Sequence, residues 1–98
     1  LILYDVNDKS TIKSCCNYIN LIEENFKDKK IIILGNMRDT KNNNYTNLDS
    51  IITNDTLFKY PIYEISVKNN TTYFRYDPLK KLITKESITL ENLIKKII

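Results

Sequence analysis

The sequence predicts an α/β sandwich, a parallel sheet held between layers of helix. Three observations point to it. Apolar segments follow one another as strand, helix, strand, helix, strand, helix, an order that calls for parallel strands joined by crossovers. The run Ile31-Ile32-Ile33-Leu34 is aliphatic throughout and does not alternate, as expected of a strand covered on both faces. At 98 residues, with 42% hydrophobic and 28% charged residues, the chain has the composition of one packed domain and no room for a second core.

Leu1 to Val6 reads as a short strand that ends where Asn7-Asp8 supplies turn chemistry. The first helix is expected over residues 11–27, because Ile12, Cys15, Ile19, Ile22 and Phe26 recur at offsets of three and four and so share one face. Asp8 or Ser10 can cap its start, and Lys27, Lys29 and Lys30 complement the carbonyls at its end. The adjacent Cys15 and Cys16 fit neither a zinc-ligand spacing nor a disulfide framework; they read as small apolar fillers in a reducing compartment.

Ile31 to Leu34 is the second strand, and Asn42-Asn43-Asn44 a loop. Leu48 to Lys59 is a helix candidate carrying Leu48, Ile51, Ile52 and Phe58, which Pro61 prevents from continuing. Ile62 to Ser66 is the third strand. Leu90, Leu93, Ile94, Ile97 and Ile98 trace a last amphipathic helix with Thr89 as its cap. Between Asn69 and Ser87 stand Tyr73, Phe74, Tyr76 and Pro78, followed by a Leu79, Leu82, Ile83 cluster able to form a helical turn or two.

Several function classes receive little support. Lys and Arg number 15 against 12 Asp and Glu, but only Arg38 and Arg75 are arginines and the lysines are scattered, so nucleic acid is not an expected partner. No apolar run approaches the roughly 20 residues of a membrane span. The Asn-x-Thr triplets at Asn44, Asn54 and Asn70 are attributed to a composition rich in Asn and Lys. The opening Leu1-Ile2-Leu3-Tyr4 reads as a strand already under way, and the last helix has no ending signal, so the chain is expected to be part of a longer one.

In sheets of this class ligands sit beyond the carboxyl ends of the strands. Gly35, Asn36 and Asp39 follow one strand and Ser66, Val67 and Lys68 the next, and adjacent parallel strands would deliver both loops to one edge about 5 Å apart. The Asp39 carboxylate offers two acceptors to the two neighbouring donors of a guanine edge, a bidentate match that adenine lacks. Asn36 carries a donor and an acceptor, able to satisfy a ring nitrogen and tie down the next loop, and Gly35 would permit close backbone approach. The same residue types are also ordinary turn formers.

Taken together, Asn36-Met37-Arg38-Asp39 and Ser66-Val67-Lys68 resemble the guanine-binding segments of the Ras-like small GTPases, most closely the Rab branch, which read Asn-Lys-x-Asp and Ser-Ala-Lys. Leu1 to Val6 is similar to that family's "LLVYDI" strand, Ser10, Ile12 and Tyr18 sit where its Ser-Phe and a helix Trp stand, and Leu90 to Ile98 resembles its closing helix. The resemblance covers about residues 1–68 and 89–98. It implies that residues 1–98 form the C-terminal part of a P-loop GTPase domain, with a long insertion at about 69–88 read chiefly as a mobile low-complexity expansion. It further implies that Asn36 and Asp39 grip guanine, that Met37 covers the base in place of the usual lysine, that the Val67 amide meets the guanine carbonyl, and that Ser66 and Lys68 shape and shield the pocket.

GTP or GDP would then be the ligand, with magnesium held only by the preceding half of the domain. The partners implied are effector, exchange and GTPase-activating proteins in vesicle traffic. The setting is the cytoplasm at the cytosolic face of intracellular membranes, with membrane attachment only through a tail outside these residues. Residues 1–98 contain no Gly-x-x-x-x-Gly-Lys-Ser/Thr phosphate loop and a single glycine, so hydrolysis is expected only of the complete domain. Met37, Val67 and the insertion also suit a non-catalytic pseudo-GTPase that keeps the fold as an interaction module. A flavodoxin-like receiver is a third, weaker fit.

Overall fold

The computed structural model describes residues 1–26, 30–36, 41, 43–53 and 56–97. It is an α/β fold whose elements run β1 (Ile2–Asp5), α1 (Lys9–Asn25), β2 (Ile33–Asn36), α2 (Leu48–Ile51), a 3-10 turn (Leu57–Lys59), β3 (Ile62–Ser66), β4 (Thr71–Asp77), β5 (Leu82–Ile88) and α3 (Leu90–Ile97). The five strands form one sheet in sequence order. β1, β2 and β3 are parallel, whereas β4 and β5 are antiparallel to their neighbours. The purely parallel sheet expected from the sequence is therefore corrected to a mixed one.

The correction comes from the segment read as an insertion. Residues 71–88 form a hairpin that extends the sheet beyond β3. The strand β4 is rich in β-branched and aromatic residues, with Phe74 and Tyr76 facing the same core and Tyr76 buried. The Asp77 carboxylate accepts from the amides of Leu79 (2.9 Å) and Lys80 (3.4 Å), and Lys81 takes the left-handed conformation at φ 52°, which turns the chain at Pro78. Leu82 and Ile83, expected in a helical turn, are in β5.

α1 begins at Lys9, two residues before the expected start at 11, because of the two candidate caps it is Asp8 that takes the position. Asp8 is extended and its carboxylate accepts from the Ser10 amide at 2.9 Å, the geometry of an N-cap. The Thr11 hydroxyl accepts from the Asp5 amide at 2.9 Å, fastening the helix start to the end of β1. Cys15 and Ile19 are buried on its inner face, while Phe26, expected on that stripe, lies beyond the last turn and is 57% exposed. Lys27 and Lys29 lie outside the described residues. The single helix expected over Leu48 to Lys59 is reduced to one capped turn and a separate 3-10 turn.

α1 and α2 cover one face of the sheet, where Tyr4, Val6, Cys15, Ile19, Ile33, Leu48, Ile51, Leu57, Ile62 and Tyr76 make the larger core. α3 covers the other, with Leu93 buried among Ile32, Leu34, Tyr63 and Ile65. Its cap is Thr89, whose hydroxyl accepts from the Asn92 amide at 3.2 Å. No helix among the described residues is long and apolar enough to cross a membrane.

Candidate functional site at the carboxyl edge of the parallel strands

Asn36 closes β2, paired in register with Asp5 of β1. Its carbonyl accepts from the Val6 amide at 3.1 Å, so its backbone is fixed before its side chain acts. The side-chain oxygen then accepts from the Val67 amide at 3.1 Å across 31 residues of sequence. This bond joins the two segments singled out by sequence. Four of the six expected site residues, Asn36, Ser66, Val67 and Lys68, are thus brought to one edge; Met37 and Asp39 lie outside the described residues.

The second segment has a structural role of its own. Ser66 ends β3 fully buried, and its hydroxyl accepts from the Asn69 amide at 3.0 Å. The Asn70 amide donates to the Val67 carbonyl at 3.2 Å and Asn70 takes φ 50°, so Val67 to Asn70 form the turn between β3 and β4. Val67 (57% exposed) and Lys68 stand in solvent at its tip. Beside this edge, a polar hollow of about 620 Å³ opens among Asp5, Asn7, Asp8, Lys9, Ser10 and Asn44.

Gly35 does not keep its backbone clear for a ligand. A Cβ built there would stand 2.3 Å from the Tyr4 hydroxyl oxygen and 2.4 Å from Cζ, so the space is filled by the Tyr4 ring of the neighbouring strand. Tyr4, Gly35 and Glu64 are register partners across β1, β2 and β3 and lie in one row. Tyr4 is 3% exposed and Glu64 is fully buried. Burial, and then the Glu64 carboxylate nearby, hold the Tyr4 phenol far above its ordinary titration range.

Glu64 was not selected by sequence reasoning. A carboxylate inside the apolar run Ile62-Tyr63-Glu64-Ile65 is the signal that marks it, since Glu is almost never fully buried without a partner. Here Tyr45 donates its hydroxyl to Glu64 at 2.6 Å. Lys41 Nζ lies 4.7 Å from the centre of the Tyr45 ring, and the Thr46 amide donates to the Val6 carbonyl at 2.7 Å. Tyr45 and Thr46 are therefore anchored beside Asn36, at Glu64 one register row below it and at Val6, whose amide meets the Asn36 carbonyl.

Among the described residues no group of three or more His, Cys, Asp or Glu side chains gathers as a metal site. No protein-family model, curated protein or solved structure matches the chain.

Proposed function

We propose that residues 1–98 recognise the base of a guanine nucleotide, as the C-terminal part of a Rab-like, Ras-type GTPase switch. The observation that carries this reading is the Asn36 to Val67 hydrogen bond, which joins the Asn-x-x-Asp and Ser-x-Lys segments at the end of parallel strands. A ligand edge that needs Asn36 and the Val67 amide finds those two already together, so little ordering entropy at that pair opposes binding.

In this reading Asp39 accepts from the ring N–H and exocyclic amine of guanine, and the Asn36 amide donates to a ring nitrogen. The Val67 amide donates to the guanine carbonyl. Because that amide already reaches Asn36, the base oxygen must share or replace the asparagine oxygen as acceptor. Lys68 and Met37 cover the ring faces with their apolar stems. The phosphates and magnesium would belong to the half of the domain that carries a phosphate loop, and hydrolysis with them. Effector, exchange and activating proteins in vesicle traffic, at the cytosolic face of membranes, are the partners this switch would serve.

A second reading is favoured by a specific observation. Ser66 to Asn70 are completed as a hairpin turn by their own hydrogen bonds, which need no ligand. A non-catalytic pseudo-GTPase would keep this geometry and present the sheet as an interaction module. Calorimetric titration of the intact protein with GDP and ADP separates the two. GDP should bind tighter than ADP by at least about tenfold and lose about tenfold on Asn36→Ala. Equal binding of both nucleotides, or binding of neither, refutes base recognition and leaves the interaction module.

A further inference from the structure

Below the Asn36 edge lies a buried polar row that the base contacts do not use. Tyr4, Gly35 and Glu64 occupy one register line, and the Tyr45 hydroxyl reaches Glu64 from the segment after Asp39 at 2.6 Å. The neighbouring Tyr4 hydroxyl is buried and has no hydrogen-bond partner among the described residues. Two phenols thus approach one carboxylate site with unlike consequences: one anchors a chain segment and the other fills the space above Gly35.

We infer that Glu64 is a positioning residue which, through the Tyr45 hydroxyl, clamps the segment following Asp39 onto β3 beneath the Asn36 edge. The inference rests on the reading of Asn36 and Asp39 as guanine ligands. Glu64 itself is fully buried and touches no base. In sequence Asp39 lies between Asn36, at the end of β2, and Tyr45, whose hydroxyl meets Glu64. That contact reaches the strand that also carries Ser66. Loss of that clamp leaves the bond between the Val67 amide and Asn36 in place but frees the chain on the far side of Asp39, and bidentate recognition is the interaction most sensitive to such a change.

Two substitutions of identical chemistry test this in the intact protein, Tyr45→Phe and Tyr4→Phe. Each removes one phenol hydroxyl, buried in Tyr4 and half-buried in Tyr45, but only the first breaks a hydrogen bond to Glu64. The readout is the preference for GDP over IDP, whose base lacks the exocyclic amine that Asp39 would read. Tyr45→Phe should weaken both nucleotides, since the ring N–H they share also meets Asp39, but GDP about tenfold more, the size of the one additional hydrogen bond, and Tyr4→Phe should leave the preference unchanged. An equal loss for both nucleotides, or an equal effect of both variants, overturns the positioning role. Amide exchange at Thr46, whose N–H meets the Val6 carbonyl, is measured on the same proteins. Faster exchange in Tyr45→Phe alone, in a wild type with no guanine preference, refutes the base reading and leaves the clamp. Unchanged Thr46 exchange refutes the clamp itself.

Discussion

Replacing Gly35 by alanine should destabilise the fold, and the sign of its effect should reverse when Tyr4 is shortened. The added Cβ would lie 2.3, 2.4 and 2.9 Å from Oη, Cζ and Cε1 of Tyr4. Non-bonded carbons rest at about 3.5–4.0 Å, so the ring must retreat by about 1 Å or more. Tyr4 is 3% exposed and belongs to the larger core, so that retreat displaces neighbours, at the usual overpacking cost of about 1–3 kcal/mol. Gly35 has no positive φ, so alanine meets no backbone strain and removes unfolded-state freedom, an opposing gain of about 0.4–1 kcal/mol. The net expectation is a loss of about 1–2 kcal/mol, or roughly 4–16 °C in Tm for a domain near 100 residues. With Tyr4→Leu the clashing ring atoms are gone, and Gly35→Ala should become neutral or stabilising. Equilibrium urea unfolding of the four proteins gives the coupling directly. A Gly35→Ala cost that is absent, or the same in both backgrounds, refutes the assignment of Gly35 to the Tyr4 ring.

The cysteines should react unequally. Burial first, and then Cys16, push the Cys15 thiol up to about 11, so iodoacetamide at pH 8 should label the half-buried Cys16 and spare Cys15; equal labelling rates would contradict its burial. Because the folded state holds the Cys15 proton more tightly, its contribution to stability is complete below about pH 9 and is lost as pH rises toward 11. Cys15→Ala should flatten that part of the stability profile, and an unchanged profile would assign the alkaline loss elsewhere. Hydrogen exchange should show protected amides at 72 and 74–76, where β4 is paired on both sides; exchange there as fast as in the Val67 to Asn70 turn would restore the mobile insertion that the sequence alone suggests.

What was legible in the sequence is what periodicity carries. The stripe of Ile12, Cys15 and Ile19, the aliphatic strand after Ile31 and the Asp8 and Thr89 caps stand close to where the pattern puts them. The hairpin was hidden because Tyr73 is skipped in the pairing of β4 with β3 and the ladder to β5 shifts between Thr72 and Phe74, which breaks the alternation that marks a strand. Its Asn-rich approach also resembles a loop. That Asn36 can tie down the next loop was anticipated from the chemistry of its side chain; that the Val67 amide is the donor was not, since the resemblance gave that amide to the guanine carbonyl. The Tyr4 packing over Gly35 and the Tyr45 contact to Glu64 were not anticipated either, since both depend on strand register and on a contact 19 residues apart.

Base recognition is tested most directly by Asp39→Asn in the intact protein, titrated with GTP and with the xanthine nucleotide. The substitution turns a pure acceptor into a group with one acceptor and one donor. Guanine's amine then loses its partner, whereas xanthine presents a carbonyl oxygen that the new amide can address. Charge-assisted hydrogen bonds of about 1.5–3 kcal/mol each predict a fall in GTP affinity of at least about tenfold, with a gain for the xanthine nucleotide. Unchanged GTP affinity with no gain for xanthine would remove Asp39 from the site and contradict guanine recognition at the Asn36 edge.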